Sequence, residues 1–140
     1  MEKAKEDWNV IFPLGEPSDP RFFTGEAWAS VLVEEEQKFN CPVWNVTFSP
    51  GARNNWHKHP GGQILLITSG EGWYQEWDKP AKKLRAGEVV TIPANVKHWH
   101  GAASNRPLTH LAICTNPQKG PAEWLEAVSE EDYLRLNKEE

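Results

Sequence analysis

Between Ala27 and Cys114 the apolar residues recur in short runs, most of them alternating with polar ones, and each run is closed by a turn signal. Trp44, Val46 and Phe48 alternate with Asn45 and Thr47, and Leu108, His110 and Ala112 alternate with Thr109, Leu111 and Ile113. A period of two marks a strand whose faces meet different surroundings. The pattern predicts strands over 28–33, 43–48, 63–69, 72–77, 88–92 and 108–114. Breaks fall at Ser49-Pro50-Gly51, Pro60-Gly61-Gly62, Ser69-Gly70, Asp78-Lys79-Pro80, Ala86-Gly87 and Pro93-Ala94-Asn95. Many short strands at such spacing make an all-β sandwich or barrel.

The two ends read differently. Residues 1–26 form a proline-rich arm with an edge strand expected over 8–12, residues 27–116 the barrel, and residues 117–140 a helical tail. In the tail, Pro121 is expected to open a helix with Trp124, Leu125 and Val128 on one side. Ser129, with Asp132 three residues on, caps a second helix through Leu134 and Leu136. The arm cannot bury Trp8, Val10, Ile11 and Phe12 by itself. Adding a strand to a neighbour's sheet edge would bury them, so a homodimer is expected.

Composition narrows the class. The chain has 140 residues, 39% hydrophobic, with eight Trp, enough apolar material for one domain with a real core. The net charge is −5 and the Lys and Arg are scattered, which suits neither nucleic acid nor an anionic membrane. The start lacks a signal peptide and no apolar run is long enough to span a membrane, so a cytoplasmic location is expected. Cys41 and Cys114 sit in no metal-binding spacing and read as reduced packing residues.

The chemistry lies in the histidines. All five fall between 57 and 110, and two pairs, His57 with His59 and His98 with His100, have the i, i+2 spacing that puts side chains on one strand face. His110 shares a face with Leu108 and Ala112. If that face lines the barrel interior, all five imidazoles converge. Two imidazoles from one strand and a third from a later one supply borderline nitrogen ligands on a rigid frame, leaving positions open for water or substrate, as in a catalytic metal site.

The spacing Gly51-x5-His57-x-His59-x3-Gln63-x6-Gly70, followed by Gly87-x5-Pro93-x4-His98, resembles the two motifs of the cupin superfamily. It departs from them in having Gln63 for a Glu, Asn95 for a Gly and Ala102 for an Asn. Asn95 tolerates the left-handed turn a Gly would make. Gln63 leaves the site without an anionic protein ligand, so a bound M2+ would keep its full charge and act as the stronger Lewis acid. The phrases Ser49-Pro50-Gly51-Ala52-Arg53, Trp56-His57-Lys58-His59-Pro60, Gly70-Glu71-Gly72-Trp73, Lys97-His98-Trp99-His100-Gly101-Ala102 and Thr109-His110-Leu111-Ala112-Ile113 resemble the bacterial cupin group that includes the manganese-dependent hydroxynitrile lyases. The resemblance implies a double-stranded β-helix (jelly-roll) barrel. It also implies one divalent transition metal per chain, manganese first, with Fe, Ni, Co, Zn or Cu as alternatives, held by His57, His59, Gln63 and His98. His100 and His110 are then the acid/base candidates.

Three functions compete for such a site: Lewis-acid and general-base cleavage of a small organic substrate, a non-haem iron dioxygenase, and small-molecule binding without turnover. Histidines beyond the ligand set favour chemistry over binding. Trp44, Trp73 and Trp99 are expected to pack the core, since buried aromatics normally supply core area.

Overall fold

The computed structural model describes residues 8–36 and 38–138. Its strands are β1 (Glu16–Pro17), β2 (Phe23–Thr24), β3 (Ala27–Val33), β4 (Val43–Phe48), β5 (Arg53–Asn54), β6 (His57–Lys58), β7 (Gln63–Glu76), β8 (Lys82–Arg85), β9 (Val89–Ile92), β10 (His98–Ala102), β11 (Leu108–Cys114) and β12 (Glu123–Trp124). One helix follows, α1 (Glu130–Lys138). The strands form a curled antiparallel barrel of two leaves. The first leaf runs β1-β3-β4-β11-β7-β9, and the second β2-β5-β10-β7-β8, with β6 beside β10 and β12 beside β6. This is the jelly-roll barrel with a C-terminal helix that the sequence led us to expect.

Strand β7 joins the leaves. The pattern predicted two strands separated by a turn at Ser69-Gly70, but the chain runs through as one strand of 14 residues. Its first half pairs with β11 and β9 and its second with β10 and β8. The crossing is made at Gly70, whose φ of +84° lies in the left-handed region and whose missing Cβ would strike the Pro107 carbonyl. Beside it, Thr109 pairs with Ser69 and His110 with Ile67, so Thr68 is the extra residue of a β-bulge that bends the strand. A turn signal within a strand therefore marks a bend between leaves.

Phe48, Leu65, Leu84 and Leu108, all at 0% exposure, fill the interior between the leaves. A second cluster, Trp56, Trp99, Val128 and Tyr133, lies under α1. The Tyr133 hydroxyl donates to the Ala102 carbonyl at 2.6 Å, and the Arg53 guanidinium lies 4.1 Å from the Tyr133 ring centroid and meets Glu130 at 2.9 Å. Ser129 caps α1 as expected, its Oγ accepting from the Asp132 N–H at 3.1 Å.

The helix expected over 121–128 does not form. Glu123 and Trp124 pair instead with Lys58 and His57, and the backbone exchanges Leu125 N–H to Trp56 O (2.8 Å) and Trp56 N–H to Glu126 O (2.9 Å). An open edge at β6 overrides a weak local helix signal.

The edge strand expected over 8–12 is also absent. That segment lies on the first leaf, where Ser69 Oγ donates to the Trp8 carbonyl at 2.5 Å and Asn45 Nδ2 to the Pro13 carbonyl at 3.2 Å. The remainder of the arm, residues 1–7, lies outside the described residues. Cys41 is exposed and so is not the packing residue expected, while Cys114 is half-buried. Among the described residues no helix is long and apolar enough to cross a membrane.

Gly70→Ala should cost about 3 kcal/mol or more, combining a strained φ with a clash against backbone. Urea denaturation of the variant checks this, and a wild-type midpoint would contradict the account of the bend.

Candidate functional site

The histidines reach the interior from three parts of the frame. His57 lies on β6, His59 just beyond it, His98 and His100 on β10, and His110 on β11. The His57 ring centroid is 4.3 Å from that of His98, 5.0 Å from His59 and 5.6 Å from His100, and His100 is 4.8 Å from His110. All five imidazoles converge, as the alternation in β11 and the paired spacings implied.

The backbone orients two of them. His57 Nδ1 lies 2.8 Å from the Asn55 carbonyl and His98 Nδ1 2.8 Å from the Val96 carbonyl. A carbonyl only accepts, so in both rings Nδ1 carries the proton and Nε2 keeps its lone pair. Among the described residues, His98 Nε2 and His59 Nε2 are buried with no hydrogen-bond partner. The loop holding His59 is pinned by its own carbonyl, which accepts from Gly62 N–H (3.1 Å) and Asn95 N–H (2.9 Å). Asn95 takes φ +64°, the left-handed conformation expected of it in place of glycine.

His100 is held differently. Asn54 on β5 accepts the His100 N–H at its Oδ1 (2.9 Å), and its Nδ2 lies 3.2 Å from His100 Nε2 and 3.4 Å from Nδ1. His110 Nε2 lies 3.2 Å from His100 Nδ1. His100 thus has an amide on one side and a second imidazole on the other.

Three ligating nitrogens, from His57, His98 and His100, lie within 4.8 Å of one another and could hold a metal ion. The four residues the cupin resemblance implied as ligands share His57 and His98 with this group. His59 and Gln63 stand outside it, though both line the same cavity. Gln63, 7% exposed, directs its Nε2 toward Cys114 Sγ at 3.8 Å. Buried imidazole nitrogens without partners and no carboxylate among the rings suit a divalent transition metal better than Ca2+ or Mg2+.

Burial is the main cause of lowered basicity in every ring. It brings His59 and His110 down from 6.5 to about 4, lowers His98, and holds His57 and His100 well below their ordinary value, with neighbouring imidazoles adding to the effect on His57 and His100. All five are neutral at pH 7, the form that binds metal or accepts a proton.

The cavity has a volume of about 670 Å³ and is walled by Phe23, Val46 and Ala112 beside His100 and His110. That size suits a small molecule. Trp44, expected in the core, lines this cavity and is 37% exposed. Trp99 is buried against Tyr133 under α1, and Trp73 packs there only partly buried, its Nε1 donating to Asn137. Two site residues escaped the sequence reading. Asn54 belongs to no motif, and Trp124, whose ring centroid is 4.7 Å from that of His57, lies in the segment read as helix.

A family model for the cupin domain matches residues 44–114, and the chain belongs to that family. It is 39% identical over 119 residues to an (R)-mandelonitrile lyase of Granulicella tundricola, a match covering 85% of this chain and 89% of that protein. The crystal structure of a cupin-like protein from Thermotoga maritima is similar at a TM-score of 0.88 and 52% identity, covering 91% of this chain and 96% of that one. A gentisate 1,2-dioxygenase of a Ralstonia species is 28% identical over 68 residues, 49% of this chain and 19% of that protein.

The neutral imidazoles carry a pH signature. The unfolded chain takes up protons near pH 6.5, whereas His59 and His110 in the barrel resist down to about 4. The unfolded state binds more protons in that window, so the metal-free protein should lose stability as pH falls from about 6.5 to 4. His110 alone would account for roughly 3 kcal/mol. Denaturation midpoints at pH 7 and pH 4.5 measure this, and equal values would contradict buried neutral rings.

Proposed function

We propose that the protein is a metal-dependent lyase that cleaves a small α-hydroxynitrile into an aldehyde and hydrogen cyanide. What carries the reading is the division of the histidines. His59 and His98 keep unpartnered Nε2 atoms, whereas His100 is engaged by Asn54 and by His110 Nε2 at 3.2 Å, and His110 keeps an unpartnered Nδ1. The first kind is suited to a metal and the second to a proton. The 39% identical (R)-mandelonitrile lyase supports the choice of reaction.

On this reading His57, His59, His98 and Gln63 hold one divalent ion, and His100 is kept off it by its engagement with Asn54 and His110. A bound ion of this kind supplies a Lewis-acidic position for a substrate oxygen and lowers the cost of negative charge there. Manganese is the ion we favour, and imidazole ligands accept iron, nickel, cobalt, zinc or copper as well.

The chain's residues do the rest. Phe23, Val46 and Ala112 seat the organic half of the substrate. His110, neutral at pH 7, accepts the hydroxyl proton. The hydroxyl carbon becomes a carbonyl as its bond to the nitrile carbon breaks, and the electron pair leaves with cyanide. The proton taken by His110 is balanced by one delivered to the departing cyanide from the His100–His110 pair, whose facing nitrogens lie 3.2 Å apart.

A dioxygenase is the second reading, favoured by the likeness to gentisate 1,2-dioxygenase over half the chain. Substrate-dependent oxygen uptake without cyanide release would select it.

Two measurements test the proposal. Metal analysis should find one ion per chain, and His57→Ala with His59→Ala should empty the site. A full equivalent of metal in that double variant would refute the ligand set, and loss of metal from His100→Ala would make His100 a ligand. In a mandelonitrile cleavage assay, His110→Ala should lower kcat by roughly 10²- to 10⁴-fold with metal content intact. Unchanged turnover would remove His110 from the mechanism.

A further inference from the structure

An amide can ligate a metal through one end alone. A carboxylate presents an oxygen whichever way it turns, whereas Gln63 must present Oε1, since its Nε2 end would meet a cation with N–H groups. The two ends have nearly the same shape, so apolar packing does not choose between them. A polar neighbour has to.

The strand register supplies one. Gln63 on β7 stands directly opposite Cys114 on β11, where facing side chains of an antiparallel pair touch. Both residues line the cavity of the histidines. Gln63 Nε2 donates to Cys114 Sγ at 3.8 Å, while Oε1 makes no hydrogen bond among the described residues. A thiol sulfur is a weak acceptor, and its large radius sets the long distance. The reverse arrangement, with the S–H on Oε1, would turn the N–H groups to the cavity, against the charge of any cation bound there.

The backbone beside the pair is fixed. Thr115 Oγ1 donates to the Gly61 carbonyl at 2.6 Å, and Asn116 Nδ2 donates to the same oxygen at 3.3 Å. A Cβ on Gly61 would strike the Thr115 carbonyl, so the two segments lie backbone to backbone next to Gln63 and Cys114. With this frame held, the freedom left at Gln63 is the turn of its amide.

We infer that Cys114 is a positioning residue, whose thiol takes the Nε2 end of Gln63 and so leaves Oε1 as the end offered to a metal ion. It does for the amide what the Asn55 and Val96 carbonyls do for the His57 and His98 rings. The thiol thereby acquires a task beyond the packing its sequence context suggests. The inference rests on the ligand set proposed above and not on the reaction.

Mn2+ titrated into the chelator-stripped full chain, followed through the electron paramagnetic resonance signal of the free ion, tests it. Gln63→Ala should weaken binding at least about 10-fold, and Cys114→Ala about 10-fold. Cys114 is half-buried, and a melting curve checks that its variant is folded. The decisive comparison is made in Gln63→Glu, whose carboxylate offers an oxygen in either orientation. There, Cys114→Ala should change the Kd by less than about twofold. Equal losses in the two backgrounds would show a packing role, and they overturn the inference, as does a Cys114→Ala protein that binds like the wild type; the ligand set survives both results. Unchanged binding in Gln63→Ala removes Gln63 from the ligand set and the inference with it. The predicted coupling in a protein that releases no cyanide would uphold the role of Cys114 and dismiss the lyase.

Discussion

The hydrogen-bond ladder along β7 is the constraint from which the site follows. Gln63 sits at its start, β11 with His110 pairs with its first half, and β10 with His98 and His100 pairs with its second half. His57 is one strand further on, paired through β6 to His98. A single strand serving both leaves is possible only because the chain can bend at Gly70 without a side chain. The imidazoles meet because their strands share this one partner, and any shift in its register would turn a histidine outward.

Convergence has an electrostatic cost that the surroundings distribute. Five rings in an apolar interior could not all be charged, and burial keeps them neutral. Backbone carbonyls then select the tautomer of His57 and His98, and an asparagine amide and a neighbouring imidazole engage His100. The same residue type thereby acquires two environments within a few ångströms, one set by backbone carbonyls and one by a side-chain amide and a second ring.

Much of this was legible in the chain. The alternation in β3, β4, β9 and β11 and the spacing of Gly51, His57, His59, Gly70, Gly87, Pro93 and His98 give the barrel and its histidines directly. What stayed hidden has a common cause. Strands β2, β5, β6 and β12 are two residues long, too short to show a period, and they exist because a neighbour's edge is open. Asn54 belongs to one of them and Trp124 to another, so their roles at His100 and His57 depend on tertiary pairing. The Ser69-Gly70 signal was read as a turn because local chemistry does not distinguish reversing a chain from bending it.

The tail extends this logic to the end of the chain. Trp124 packs over the His57 ring and stacks at 4.7 Å on Phe22, while a few residues later Glu130 and Tyr133 hold Arg53, the neighbour of Asn54. The last strand therefore packs directly on His57, and the helix fixes the residue next to the asparagine that holds His100. A chain shortened by this segment would keep every residue of the cupin motifs and still lose the aromatic wall over His57 and the partners that hold Arg53 beside Asn54.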